Sequence, residues 1–205
     1  MNTTTTNWNR KTFTAISDDG RYVVFWSQAS TLVPGDSNGM GKVFLRDRQT
    51  GRTERVSVSS RGVQANSVST NATISADGRY VAFESSATNL VPGDTNRSTD
   101  VFVRDRQAGT TERVSVTSSG AQGNGDSDSP KLSADGRFVA FRSSATNLMP
   151  GDINGVDDVF VRDLQTGTTV RVNVMPDGSQ DSVSGNGTGY KPDISADGRY
   201  VVMVS

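Results

Sequence analysis

Two short loops hold the residues best suited to chemistry. One runs Pro92-Gly93-Asp94-Thr95-Asn96-Arg97-Ser98-Thr99-Asp100, the other Pro150-Gly151-Asp152-Ile153-Asn154-Gly155-Val156-Asp157-Asp158. Asp94, Asn96 and Asp100, and likewise Asp152, Asn154 and Asp158, set oxygen-bearing side chains at relative positions one, three and seven. Calcium (Ca2+) takes about six to eight oxygens, and short Asp/Asn loops with backbone carbonyls can supply them. With two or three carboxylates the expected affinity is low, in the range of about 10⁻⁴–10⁻³ M typical of extracellular modules. A third loop runs from Asp36 through Asn38 and places Lys42 where the last carboxylate would stand. That copy is expected to be empty or weak. The loops lack the glycine and the final Glu of an EF-hand. The competing reading is that Asp94 and Asn96 only make Asx-turns and that Asp100 merely begins a strand.

Two weaker candidates accompany the loops. Arg21, Arg79, Arg137 and Arg199 each follow an Asp-Gly corner, and Arg46-Asp47, Arg104-Asp105 and Arg162-Asp163 each close a Val-aromatic segment. Repeated Arg–Asp pairing within or between copies is the structural expectation. The functional alternative is a ring of charges around a channel that reads a ligand. Trp8, Trp26 and Tyr190 have the flat rings that stack on sugars, but Glu84 and Arg142 stand at the Trp26 position in the other copies. A lectin would repeat the aromatic, so packing is expected instead. The chain has no histidine. This excludes Ser-His-Asp and Cys-His catalysis, His-ligated zinc and imidazole acid–base work.

The elements that must position these residues form a repeat. The glycines of the Asp-Gly-Arg corner, Gly20, Gly78, Gly136 and Gly198, recur at steps of 58, 58 and 62 residues. A near-fixed long period marks a repeated supersecondary unit. In the second copy, Ala72–Ser75 reads as a short strand A, and Asp-Gly supplies the positive φ of a tight turn. Tyr80–Glu84 is strand B, apolar at nearly every position, as when both faces are covered. Asp100–Arg104 is strand C, and Thr111–Val116 is strand D. Strand D alternates, with Val114 and Val116 on one side and Arg113 and Ser115 on the other, which predicts a half-exposed outer strand. Asn/Gly/Ser-rich linkers join the copies, each with a Gly-x-Gln beat (Gly62/Gln64, Gly120/Gln122, Gly178/Gln180) expected to be a structured turn. The reading is all-β: four-stranded antiparallel β-propeller blades, three full repeats plus the first half of a fourth. The spans are 1–10 as a flexible lead, 11–69, 70–129 and 130–190 as blades, and 191–205 as strands A and B of a partial fourth. A linear β-solenoid is the competing architecture.

The corner ISADGRYVAF, followed by a Val-aromatic strand ending in Arg-Asp, resembles the WD40-like PD40 repeats of TolB-type β-propellers. It is similar to bacterial proteins built from tandem SADGRYVAF, TNLVPGDTN, DVFVRD and TGTTxRVSV beats. The resemblance covers residues 11–205. It implies a six-bladed relative and an extracytoplasmic setting: periplasmic, secreted or cell-surface. It does not select a function, because such propellers serve as scaffolds, binders and enzymes.

Composition bounds the rest. With 21 basic and 22 acidic residues the net charge is −1, which gives nucleic acid no basic patch to bind. No apolar run approaches membrane-spanning length, so no membrane insertion is expected, and MNTTTTNWNR is too polar for a signal-peptide core. There is no cysteine. Closure of a propeller takes at least about four blades, so three and a half leave two open faces. Either the chain is a piece of a longer protein, which its stop just after strand B suggests, or copies associate through those faces. The expected function is a non-catalytic binding or scaffold module whose ligand is a protein or a cell-envelope glycan. A fragment of a propeller hydrolase or lyase working with carboxylates and calcium is the alternative, and a self-associating half-propeller is the third.

Overall fold

The computed structural model describes residues 14–180 and 191–204. The expectations for residues 1–10, Trp8, Tyr190, and the insertion in the third linker lie outside the described residues. Three four-stranded antiparallel sheets follow one another along the chain. The first is β1 (Thr14–Ile16), β2 (Tyr22–Ser27), β3 (Lys42–Asp47) and β4 (Thr53–Arg55). The second is β5 (Ser69–Ile74), β6 (Tyr80–Ser85), β7 (Asp100–Asp105) and β8 (Thr110–Arg113). The third is β9 (Ser127–Leu132), β10 (Phe138–Ser143), β11 (Asp158–Asp163) and β12 (Thr168–Arg171). A pair, β13 (Lys191–Ile194) and β14 (Val201–Val204), opens a fourth unit. Spatial order equals chain order in each sheet, so the units are the propeller blades expected.

Register repeats between blades. In blade 2, Tyr80 faces Asp105 and Phe83 faces Phe102; in blade 3, Phe138 faces Asp163 and Phe141 faces Phe160. The two central strands are apolar because both faces are covered. Val101 and Phe102 are fully buried, as are Val81, Ala82 and Phe83. The stacked rings recur at nearly one spacing: Phe25–Phe44 and Phe83–Phe102 at 5.9 Å, Phe141–Phe160 at 5.8 Å. Full burial of one such ring contributes roughly 1.5–3 kcal/mol. One apolar cluster joins Val24, Val43 and Leu45 of blade 1 to Val81 and Phe83 of blade 2, and a second joins Ala82, Val101 and Val103 to Val139 and Phe141 of blade 3. The core therefore lies between blades.

The joints between blades also repeat in their backbone. Asp18 N–H donates to the Ala76 carbonyl at 3.1 Å, Ala76 N–H to Ala134 at 2.8 Å, and Ala134 N–H to Ala196 at 2.9 Å. At each joint the first aromatic of strand B lies on the corner glycine of the next blade. A Cβ placed on Gly78 would stand 2.2 Å from the Tyr22 ring, on Gly136 2.3 Å from Tyr80, and on Gly198 2.2 Å from Phe138. These glycines also have φ between 71° and 74°, so both the backbone and the neighbouring ring require glycine.

Strand D is half-exposed as expected, with Thr110 and Glu112 exposed and Thr111 buried, but it is shorter than expected. It ends at Arg113, and neither side of the following segment is exposed: Val114 and Ser115 are fully buried and the Arg113 side chain is 7% exposed. The cause is the loop between strands B and C, which draws Arg113 and Ser115 inward.

Candidate functional site

The Asp/Asn loops converge on that inward arginine. In blade 2, Arg113 Nη2 stands 3.5 Å from Asp94 Oδ2 and its Nε 3.5 Å from Asp100 Oδ2, and both acid side chains are almost fully buried. These are ion pairs slightly longer than hydrogen bonds. Ser115 Oγ donates to Asp100 Oδ1 at 2.6 Å. Asn96 turns its Nδ2 toward Asp100, at 3.3 and 3.5 Å, and donates to the Gly123 carbonyl at 2.9 Å, while its Oδ1 accepts from Ser98 N–H. The structure thus brings Asp94, Asn96 and Asp100 together, around a guanidinium. Burial pushes the Asp100 carboxyl up, partly offset by the Ser115 hydrogen bond and the Arg113 charge.

Blade 3 repeats the arrangement. Arg171 Nη1 lies 3.0 Å from Asp158 Oδ2 and 3.7 Å from Asp152 Oδ1. Asn173 Nδ2 takes the role of the Ser115 hydroxyl and donates to Asp158 at 2.6 Å. Asn154 Nδ2 faces Asp158 at 3.4 Å. The Asp152 carboxyl is pushed up, first by burial and then by the Asp158 charge. Asp157 points elsewhere, to Arg142 at 3.4 Å. In blade 1 the charges are inverted: Asp36 meets Lys42 at 2.7 Å and Arg55 at 3.8 Å, with Lys42 fully buried. Each loop encloses at least one acid and one base, because a buried charge without a partner is very costly.

Several side chains from other parts of the repeat close these loops. Arg55, Arg113 and Arg171 supply the internal cation. Gln122 donates to Asp94 at 3.2 Å and accepts from Thr95 N–H at 3.3 Å, and Gln180 does the same for Asp152 and Ile153. The Gly-x-Gln beat is thus a turn, as expected, and also a clamp on the loop. The signal was available as the strict recurrence of both residues in register with the loops. Glu84, read only as a non-aromatic position, accepts from Asn71 Nδ2 and from Ser129 N–H, both at 3.0 Å, and ties blade 2 to blade 3.

Among the described residues, no group of three or more His, Cys, Asp or Glu could hold a metal ion. Two carboxylates already face a guanidinium, and Asn96 presents its amide nitrogen to Asp100. Calcium would require Arg113 to swing out and Asn96 to turn its carbonyl inward.

The second candidate is a pairing within each blade. Arg21 Nε and Nη2 donate to Asp47 at 3.0 and 2.7 Å, and Arg137 to Asp163 at the same distances; Arg79 engages Asp105 in the same fork. Each guanidinium lies 4.7 Å from the ring beside it, of Tyr22, Tyr80 or Phe138. Hydrogen bonds from these arginines hold the Asp47, Asp105 and Asp163 carboxyls below the ordinary range. Strand B is thereby fastened to the end of strand C. Trp26 packs over Gly41, whose Cβ would stand 2.5 Å from Trp26 Nε1.

No protein-family model matches the chain, and no curated protein does. Solved structures do match. TolB from Acinetobacter baumannii aligns with a TM-score of 0.55 at 16% identity, covering 94% of this chain and 37% of that one. A protein described as TolB from Agrobacterium tumefaciens aligns at 0.53 and 17%, covering 97% and 61%. A prolyl endopeptidase aligns at 0.55 and 15%, covering 93% and 25%. The fold is thus that of a TolB-like β-propeller, and the chain spans less than two thirds of the length of each structure.

Proposed function

We propose that the chain is a non-catalytic binding or scaffold module of a bacterial TolB-like propeller, made of PD40-type repeats and working outside the cytoplasm on a protein or cell-envelope glycan. The observation that carries this reading is the inward Asp94–Arg113–Asp100 cluster and its Asp152–Arg171–Asp158 counterpart. The charged side chains that recur at the loops are engaged with one another inside the blade. The Arg–Asp forks likewise hold strands. Such residues serve the array, and a ligand would be read by positions that differ between blades.

Calcium in the loops of blades 2 and 3 is the second reading. Two buried carboxylates around one guanidinium leave a surplus negative charge there, whereas blade 1 carries a surplus positive one. Thermal unfolding in millimolar calcium and in chelator decides between them. Closure by arginine predicts superimposable curves. A rise in melting temperature with calcium, lost in Asp94→Ala and Asp152→Ala, would establish metal sites instead.

Self-association is favoured by a separate observation. Tyr200 is 64% exposed, and among the described residues no glycine covers it as glycines cover its counterparts. Among the described residues, the nearest atoms to a Cβ on Gly20 would be Arg48 Nη1 at 3.6 Å and Ile16 at 4.0 Å, and no ring lies upon it. Tyr200 of one copy seated on Gly20 of the next would reproduce the internal joint head to tail. Sedimentation over a concentration series is expected to show growing species that Tyr200→Ala abolishes. A monomer at every concentration would eliminate this arrangement.

A further inference from the structure

The joint between blades 2 and 3 differs from the joint between blades 1 and 2 at one decisive position. At the first joint Arg106 crosses from blade 2 to blade 1. Its Nε donates to Glu54 at 2.6 Å, its Nη1 donates to the Gly78 carbonyl, and its guanidinium lies 4.5 Å from the Tyr22 ring centroid. Arg21 lies 4.7 Å from the same ring, so Tyr22 carries two guanidiniums. Each partner of Arg106 has its counterpart one repeat later: Glu112 for Glu54, Tyr80 for Tyr22 and Gly136 for Gly78. The arginine does not. Its position holds Leu164, which packs against the apolar cluster between the blades.

The consequence is an open, unmatched crevice. The first joint leaves a cavity of about 220 Å³ beside Arg106, whereas the second leaves about 660 Å³, lined by Tyr80, Glu112, Gly136 and Leu164 among others. Among the described residues Tyr80 carries only Arg79. Glu112 stands exposed at the crevice, and among the described residues it makes no hydrogen bond or ion pair. Neighbouring protein nevertheless desolvates its carboxyl enough to push it up, against the pull of Arg162. The crevice combines an acid, a carbonyl and an aromatic ring in the pattern that a guanidinium fills next door.

We propose that this crevice binds an arginine side chain of a protein partner, with the guanidinium meeting Glu112, Tyr80 and the Gly136 carbonyl as Arg106 meets Glu54, Tyr22 and the Gly78 carbonyl. A planar guanidinium can stack on the ring while donating in its own plane, and an ammonium cannot do both. Arginine is therefore selected over lysine. The inference gives the binding module a ligand class and rests on that reading.

The test uses the full chain and N-acetyl-arginine amide, followed by backbone amide NMR. Saturable shifts are expected at Glu112, Gly136 and Leu164. N-acetyl-citrulline amide, the neutral near-isostere, and N-acetyl-lysine amide are expected to give much weaker shifts. Glu112→Gln should weaken arginine binding by about tenfold, the loss of one charge-assisted hydrogen bond. Leu164→Arg should recreate the first joint, abolish the shifts and raise the melting temperature. The proposal is overturned if citrulline and arginine amides act alike, if Glu112→Gln binds the arginine amide as tightly as wild type, or if binding survives Leu164→Arg. Failure with an unchanged melting curve would remove the site while leaving the scaffold reading intact, whose own tests are the calcium and chelator curves.

Discussion

Gly78→Val is expected to unfold the joint between blades 1 and 2. The φ of 71° costs a branched residue about 1–2 kcal/mol. The new Cβ would lie 2.2 Å from the Tyr22 ring, and displacing a packed ring costs about 1–3 kcal/mol more. The sum, on the order of 2–5 kcal/mol, is a large part of the roughly 5–15 kcal/mol that holds a domain together. Gly93→Val is the control. Its φ is 72°, yet no atom lies within 4 Å of the position a Cβ would take. It is expected to lose only the backbone component. Tyr22→Ala in the Gly78→Val background should recover part of the loss, and equilibrium urea unfolding measures all four proteins. Equal losses at Gly78 and Gly93 would show that ring contact contributes nothing.

The second large effect is expected at Arg113. Arg113→Met removes the cation between Asp94 and Asp100 and leaves two buried carboxylates facing each other. Breaking a buried pair this way costs about 3–5 kcal/mol. The sign of the pH dependence follows from burial, which already raises the Asp100 carboxyl. A carboxyl whose folded value lies above its unfolded one, about 3.9, keeps its proton in the folded state where the unfolded state has lost it. Stability therefore falls as pH rises through that window and recovers as pH falls. Without Arg113 the window widens upward, so the deficit of the variant against wild type should be largest near neutrality and shrink toward pH 4. Asp47, Asp105 and Asp163, held low by their arginines, act oppositely in both proteins and cancel in the difference. A deficit that is flat with pH would mean that those carboxylates are not the source. Adding Asp94→Asn and Asp100→Asn to Arg113→Met should restore much of the loss.

The blade was legible in sequence because its determinants are local. Period, Asp-Gly corners and the paired apolar strands each follow from residues close in the chain, and β6, β7, β10 and β11 lie where the pattern placed them. Strand D is half-exposed as its alternation predicts, but its stop at Arg113 was not legible, because alternation counts polarity alone. Arg113 and Ser115 look solvent-facing by type, yet they turn inward to a loop about fifteen residues upstream, and no local pattern carries that contact. The loop residues expected to ligate calcium do lie together, around a guanidinium. Its cation was not identified, because Arg113 belongs to a different beat of the repeat. The crevice at Leu164 was hidden for another reason: it is visible only once Arg106 is known to bridge two blades.

The recurring joints also make the described blades a row of coupled units, each packed on its neighbours in sequence. In such an array, stability is a sum of unit terms and interface terms. Blade 2 has a neighbour on both sides, whereas the pair β13–β14 has two strands and a single neighbour among the described blades. Amide exchange protection should therefore be graded along the described blades with its maximum in β6 and β7. A lesion at one joint would divide the row without melting every blade, so heat absorption in a defective variant would split into two transitions where the intact array shows one.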